Sequence, residues 1–241
     1  MFVDAHVHCV DLSNEEPLAK YSDIVLICVA DDPRSSEKVV ELSNQYPNIT
    51  PCVGIHPWVA HEYRVNEALA LLARYVDSGE VKCLGEVGLD RKFVPNTFEK
   101  QVELFNVFVK YAREYDLVLN IHAADAWVEV FNIVHKNDVN HVYFHWYTGP
   151  IELLHQIESV GYFIGANPAW RLQQKHRVVL ERASLGNIIT ESDAPYKYRG
   201  LVMTPNLVKE TVKYLADLKH VDPSNVERQV YSNLKRLFHG L

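Results

Sequence analysis

The first hydrophobic run of the chain, residues 1–8, reads Met-Phe-Val-Asp-Ala-His-Val-His and stops at a His-x-His pair. Short apolar runs of the same kind follow at 24–30, 49–54, 81–85, 117–121, 142–144, 161–165 and 187–190. Between them lie segments whose apolar residues recur at helical spacing, at 35–45, 66–76, 97–115, 127–136, 150–159 and 170–182. Strand alternating with helix predicts a parallel sheet with helices outside it. Eight such strands predict a closed α/β fold, the (β/α)8 TIM barrel. An open doubly wound sheet is the alternative, because periodicity does not show closure. In the tail, Leu207, Val208, Val212, Leu215 and Leu218 predict one helix, and Val226, Val230, Leu234, Leu237 and Phe238 a second. No linker or low-complexity tract interrupts the pattern, which predicts a single domain over residues 1–241.

Composition narrows the function classes. The chain is 48% hydrophobic and 23% charged, ordinary for a globular protein. A net charge of -7 argues against a protein that coats nucleic acid through a broad basic surface. It leaves room for a local phosphate site whose positive charge comes from metal ions. No apolar stretch approaches the roughly 20 residues needed to span a bilayer, and no basic segment followed by an apolar run marks a signal peptide. Cys9, Cys28, Cys52 and Cys83 show no Cys-x-x-Cys spacing. They read as small buried hydrophobes of a reduced, cytoplasmic protein, although Cys9, next to the histidine pair, is also a candidate soft ligand.

The candidate chemistry collects at the strand ends. Residues i and i+2 of a strand share a face, so His6 and His8 form a two-point clamp for a divalent metal; the plainer reading is two polar residues closing an edge strand. The third strand runs into Gly-Ile-His56-Pro, the fourth into Gly85-Glu86-Val-Gly88-Leu-Asp90-Arg91, and the fifth into His122. The sixth runs into His145-Trp146, and the eighth into Glu191-Ser192-Asp193. In barrels the C-terminal strand ends carry the active site. Four imidazoles and two carboxylates can hold two divalent ions, with one carboxylate bridging. The mixed nitrogen and oxygen set suits zinc, manganese, iron or nickel, and magnesium less naturally. Asp193 is placed to orient or deprotonate an attacking water. His61, His135, His155, His176, His220 and His239 fall in helix-like or loop segments and read as surface or packing residues.

In this order the blocks 3–8, Gly54-Ile-His56-Pro57, Gly85-Glu-Val-Gly-Leu-Asp90, Ile121-His122, His145 with Gly149, and Glu191-Ser-Asp-Ala-Pro195 resemble the TatD-like metal-dependent hydrolases. That group is the TatD deoxyribonuclease family of the amidohydrolase superfamily. The closing stretch 233–238, Asn-Leu-Lys-Arg-Leu-Phe, is similar to the family's C-terminal signature. The resemblance implies a TIM barrel and a metal-dependent phosphodiesterase. It implies that His6, His8 and Asp193 bind one metal, that His122 and His145 bind a second, and that Glu86 bridges them and shares in catalysis. Asp193 would be the general base and His56 would face the substrate phosphate. The family's usual His-x-Arg-x-Ala is here His122-Ala-Ala124-Asp-Ala, so an arginine is missing. Arg91 is the candidate substitute for that phosphate donor.

Three functions fit this reading. The first is a phosphodiesterase or deoxyribonuclease acting on DNA or a small phosphodiester. Trp58, Trp146, Tyr147, Trp170 and Tyr196 then offer rings to bases, although loop packing explains each ring singly; Lys197 and Arg199 either meet a phosphate or are simply solvated. The second is a metal-dependent amidohydrolase or lactonase acting on a carbonyl, towards which the acidic balance and the missing arginine lean. The third is a barrel that keeps its ligands without catalysis.

Overall fold

A computed structural model describes residues 1–239. Its strands are β1 (Phe2–Val7), β2 (Ile24–Cys28), β3 (Ile49–Val53), β4 (Cys83–Asp90), β5 (Val118–Ala124), β6 (His141–Phe144), β7 (Phe163–Ala166) and β8 (Ile188–Thr190). They form an eight-stranded sheet in sequence order from β1 to β8. The paired strands run parallel wherever their register is resolved. The helices are α1 (Cys9–Glu15), α2 (Pro33–Gln45), α3 (Val65–Tyr75), α4 (Phe98–Glu114), α5 (Trp127–Lys136), α6 (Ile151–Ser159), α7 (Gln174–Arg182), α8 (Leu207–Lys219) and α9 (Pro223–Leu237). This succession is the (β/α)8 TIM-barrel fold that the apolar pattern predicts. No described helix is long and apolar enough to cross a membrane.

The described residues divide into two units. The first holds Met1–Cys28, Tyr46–Thr50 and the chain from His145 on. Its core is the buried faces of β1, β2, β7 and β8 (Val3, Val7, Leu26, Ile164 and Ile188 among them). α9 covers β1 and β8 with Val226, Val230 and Leu234. That helix starts cleanly because Pro223 needs no N–H partner and the Asp222 side chain accepts the Ser224 N–H at 2.8 Å. Asn233, from the closing signature, gives its amide to the carbonyls of Leu185 and Ile188, each at 2.8 Å. It thereby pins the start of β8. The far end of β8 runs on beside β1, where Asp193 N donates to His6 O and His8 N to Ala194 O, both at 2.9 Å.

The second unit holds Val29–Gln45 and Pro51–Phe144. β4 is buried along its whole length and continues past the expected end at Gly85 to Asp90. It does so through a register shift against β5 between Leu84 and Val87. Gly85 permits that close pairing, since a Cβ there would meet the Asn120 Cβ at 2.6 Å.

Two expectations need correction. The helix expected over 170–182 is a 3-10 turn, Pro168–Arg171, followed by α7. The Asn167 side chain caps the turn by accepting the Ala169 N–H, and Gln173 has an extended backbone that breaks the helix. The cysteines are not separate thiols: Cys9 is bonded to Cys28 and Cys52 to Cys83. Cys52 and Cys83 are register partners on adjacent strands, a proximity that a separation of 31 residues conceals. The cysteines thus lend no support to a reducing compartment, and Cys9 is not available as a soft ligand.

Candidate metal centre

In the first unit β1 delivers His6, fully buried, and His8, partly open. Asp193 follows β8 in a left-handed backbone conformation, φ 59°. Its Oδ1 lies 3.7 Å from His6 Nε2 and 3.5 Å from His8 Nε2. Donors bound at 2.0–2.1 Å to one tetrahedral ion stand about 3.3 Å apart, so this set fits a divalent cation in spacing and in donor chemistry. The His145 ring lies parallel to His6, centroids 3.9 Å apart.

A buried network holds these groups. Asp4 accepts from the Ser192 N–H at 2.8 Å and from the Ser192 hydroxyl. Burial nevertheless pushes its carboxyl up to about 7. Glu191, fully buried, accepts the Trp146 N–H at 2.8 Å and the Asn167 amide at 3.2 Å, and lies 3.5 Å from His145 Nδ1. Asn167 in turn donates its backbone N–H to His176 Nε2 at 2.9 Å, and His176 Nδ1 donates to Tyr147 O at 3.0 Å. Burial lowers the His176 pKa to about 4, so this ring is a neutral packing peg, as the sequence suggested. Tyr147 and Trp170 also pack: the Tyr147 hydroxyl donates to Pro150 O, and Trp170 lies flat on Tyr214 at 3.9 Å.

In the second unit β4 and β5 carry Glu86, Asp90 and His122, and His56 follows β3. His122 Nδ1 is 2.8 Å from Glu86 Oε1, and its Nε2 is 3.0 Å from Asp90 Oδ2. Burial disfavours the imidazolium, but its hydrogen bonds to Asp90 and Glu86 prevail and raise its pKa to about 9. Burial would likewise raise Asp90. Donation from His122, the Phe93 N–H and the Trp58 indole lowers it to about 2 instead. The pair of acids therefore demands a positive charge at His122, and a proton on Nδ1 supplies it.

His56 Nε2 lies 3.4 Å from Glu86 Oε1 and 3.3 Å from His122 Nδ1. The Trp58 backbone N–H donates to its Nδ1 at 3.2 Å. Burial lowers the His56 pKa, so the ring is neutral and its one proton sits on Nε2. That proton makes His56 a donor towards an anion and a poor metal ligand. Arg91 is half exposed; its Nε donates to Glu129 at 2.8 Å and its guanidinium lies over Phe98 at 3.6 Å.

The structure thus brings His6, His8 and Asp193 together with His145 in one unit, and His56, Glu86 and His122 together in the other. Sequence reasoning passed over Asp90, Glu191 and Asn167, all buried. A signal for Asp90 was present, because it stands four residues after Glu86 on a strand and hence on the same face.

The model of the family described as TatD-related DNase matches residues 3–239. A metal-dependent hydrolase of Methanocaldococcus jannaschii is 27% identical, covering 98% of this chain and 96% of its own. One from Haemophilus influenzae is 25% identical, with 99% of both chains covered. The crystal structure of the TatD homologue YjjV of Escherichia coli superposes with a TM-score of 0.89 at 21% identity, covering 100% of this chain and 98% of that one. An amidohydrolase of Saccharomyces cerevisiae gives 0.78 at 13% identity, covering 98% and 99%. With its strand-end histidines and acids in the family's order, the chain belongs to the TatD-related DNase family.

Proposed function

We propose that this protein is a divalent-metal-dependent hydrolase that cleaves phosphodiester bonds, in DNA or in a smaller phosphodiester. The observation that carries the reading is the triad of His6, His8 and Asp193, whose ligand atoms lie within 4.8 Å of one another. These three would hold one ion. Glu86 and His122 would contribute to a second, His122 giving up its Nδ1 proton, and His145 offers a further imidazole beside His6. The ions would supply positive charge that acidifies water and offsets the charge developing on phosphoryl oxygens. Zinc, manganese, iron and nickel match the donors, and magnesium less so.

The chain's own groups do the rest. Asp193 takes the proton of the attacking water as its oxygen bonds to phosphorus, and the phosphorus–oxygen bond to the leaving alcohol breaks. The leaving alkoxide takes up a proton from solvent, and Asp193 returns the one it accepted to solvent. His56 Nε2–H donates to a non-bridging phosphoryl oxygen. Arg91 would reach substrate only by exchanging Glu129 for phosphate.

A carbonyl substrate is the second reading. It is favoured by Ala124, which puts no guanidinium at that strand end, and by the engagement of Arg91 with Glu129. A panel of bis(p-nitrophenyl) phosphate, single-stranded DNA and simple lactones, with manganese or zinc, separates the two. Turnover of the phosphodiesters, lost in Asp193→Asn, is expected. Turnover of lactones alone overturns the phosphodiesterase reading.

A further inference from the structure

Directly after Asp193 the chain makes a small hairpin, β9 (Lys197–Tyr198) and β10 (Leu201–Val202), antiparallel with Tyr198 opposite Leu201. Its two-residue turn is Arg199-Gly200, with φ of 48° and 88°. Positive φ at both turn positions is the type I′ turn, which asparagine or aspartate followed by glycine fills with least strain. A long arginine in the left-handed position carries a backbone cost that the hairpin itself does not require. Among the described residues no carboxylate pairs with Arg199 or Lys197; the Arg199 guanidinium lies 5.3 Å from the centre of the Tyr198 ring.

Beside this turn stands Trp146, the residue after His145. It too has a left-handed backbone, φ 41°. Its N–H is tied to Glu191 and its indole N–H donates to Gln173 at 2.8 Å, so the ring is fixed in orientation. Tyr198, Tyr196 and His145 meet it edge to face, at 5.1, 6.0 and 6.3 Å. No described ring lies parallel on Trp146, in contrast to Trp170, whose face is covered by Tyr214. Tyr196 is 44% exposed. Three left-handed non-glycine residues, Trp146 after β6, Asp193 after β8 and Arg199 in the β9–β10 turn, thus carry a held indole, a carboxylate and a guanidinium that no described carboxylate pairs. At Trp146 and Arg199, which lack the short polar side chain that tolerates this region, such backbone persists only because the surrounding structure holds it.

We infer that Trp146, Tyr196 and Tyr198 with Arg199 form the specificity subsite of the hydrolase, seating an aromatic base while Arg199, aided by Lys197, grips a phosphate on the same ligand. The inference rests on the phosphodiesterase reading for its substrate class: a nucleoside phosphate flanking the scissile bond. It goes further in naming which residues distinguish a nucleotide ester from any other diester.

The test compares two esters with the same leaving group, thymidine 5′-(p-nitrophenyl) phosphate and methyl p-nitrophenyl phosphate. In Trp146→Ala, kcat/KM for the thymidine ester falls about tenfold to hundredfold further than for the methyl ester, as loss of one stacked base implies. Trp146→Phe recovers part of the difference. Arg199→Asn removes the charge but suits the turn better. It raises KM for the thymidine ester several-fold, and the rise shrinks at high salt, while the melting temperature holds or increases. Equal losses on both esters, or an Arg199→Asn variant that melts earlier with unchanged kinetics, overturn the subsite. If neither ester is hydrolysed, the phosphodiesterase reading fails by itself. Quenching of tryptophan fluorescence by a phosphorothioate-linked thymidine dinucleotide then decides the subsite: quenching that Trp146→Phe and Arg199→Asn weaken upholds it, and no quenching in the wild type overturns it.

Discussion

The Trp58 indole N–H donates to Asp90 Oδ2 at 2.6 Å, on the same oxygen that receives His122 Nε2 at 3.0 Å. The other oxygen, Oδ1, accepts the N–H groups of Lys92 at 2.8 Å and Phe93 at 2.7 Å. This buried carboxylate is therefore fully occupied, and it decides which way the His122 ring faces. Asp90→Asn sets an amide N–H against one of these donors. It should cost about 1–3 kcal/mol of stability and weaken divalent-metal binding roughly 10- to 100-fold. Trp58→Phe removes one donor and should do less of each. Metal titration with parallel melting curves checks both; an Asp90→Asn protein that melts early but binds metal normally would confine Asp90 to structure.

Gly88 and His122 are register partners on β4 and β5. Gly88 has φ 146°, and a Cβ on it would lie 1.9 Å from the His122 carbonyl oxygen. Gly161 also has positive φ, 82°, but open space around it. Gly88→Ala must push β5 and its histidine aside, so a loss above about 4 kcal/mol or an insoluble protein is expected. Gly161→Ala should lose about 1 kcal/mol. Chemical denaturation of the two variants tests the contrast, and similar midpoints would refute it.

What the chain's pattern revealed, and what it hid, follows from where the information lies. The apolar runs located all eight sheet strands because burial on both faces leaves β-branched and aliphatic residues in unbroken series. The pattern ends β4 at Gly85 because Glu86, Gly88 and Asp90 interrupt that series. The strand continues through them because β5 stays paired with it from Val87 to Asp90. The 3-10 turn before α7 escapes the pattern because Leu172 keeps helical spacing with Val179, seven residues on, while Gln173 interrupts the helix with an extended backbone. The β9–β10 hairpin escaped because each strand has two residues and the turn lacks asparagine. The candidate ligand types were legible from strand ends. Of the carboxylates beside them, Asp90 is marked only by sharing a strand face with Glu86, and Glu191 by nothing, since a supporting acid and a solvated one look alike until burial is known.

Each histidine–acid cluster should respond to metal on its own. A cation bound only by the folded protein stabilises it by about 2.7 kcal/mol at one hundred times its Kd. In a chain of this size that is a rise of roughly 5–10 °C in melting temperature. Manganese or zinc should produce such a rise, and a chelator should reverse it. His8→Ala and Glu86→Ala should each reduce it, because each removes a ligand from a different cluster. Wild-type protein that melts at the same temperature with and without these ions would contradict the proposed centre.

His176 sets a separate limit at acid pH. Its Nε2 accepts the Asn167 N–H and its Nδ1 donates to Tyr147 O, so the folded protein has no place for a second ring proton. The charged and titratable groups nearest to it are Glu191, which favours protonation, and His145, which opposes it; burial outweighs both and lowers the pKa to about 4 from an ordinary 6.5. The sign follows from which state binds the proton. Between pH 6.5 and 4 the unfolded chain protonates this histidine and the folded one does not. Stability therefore falls as pH drops through that window, by up to roughly 3 kcal/mol, and this contribution is complete near pH 4. His176→Gln offers an amide oxygen and N–H without a titrating ring. It should start less stable at neutral pH and show a flatter decline between pH 6.5 and 4. Denaturation midpoints taken across that range, with wild type and variant falling in parallel, would show that another group carries the acid sensitivity.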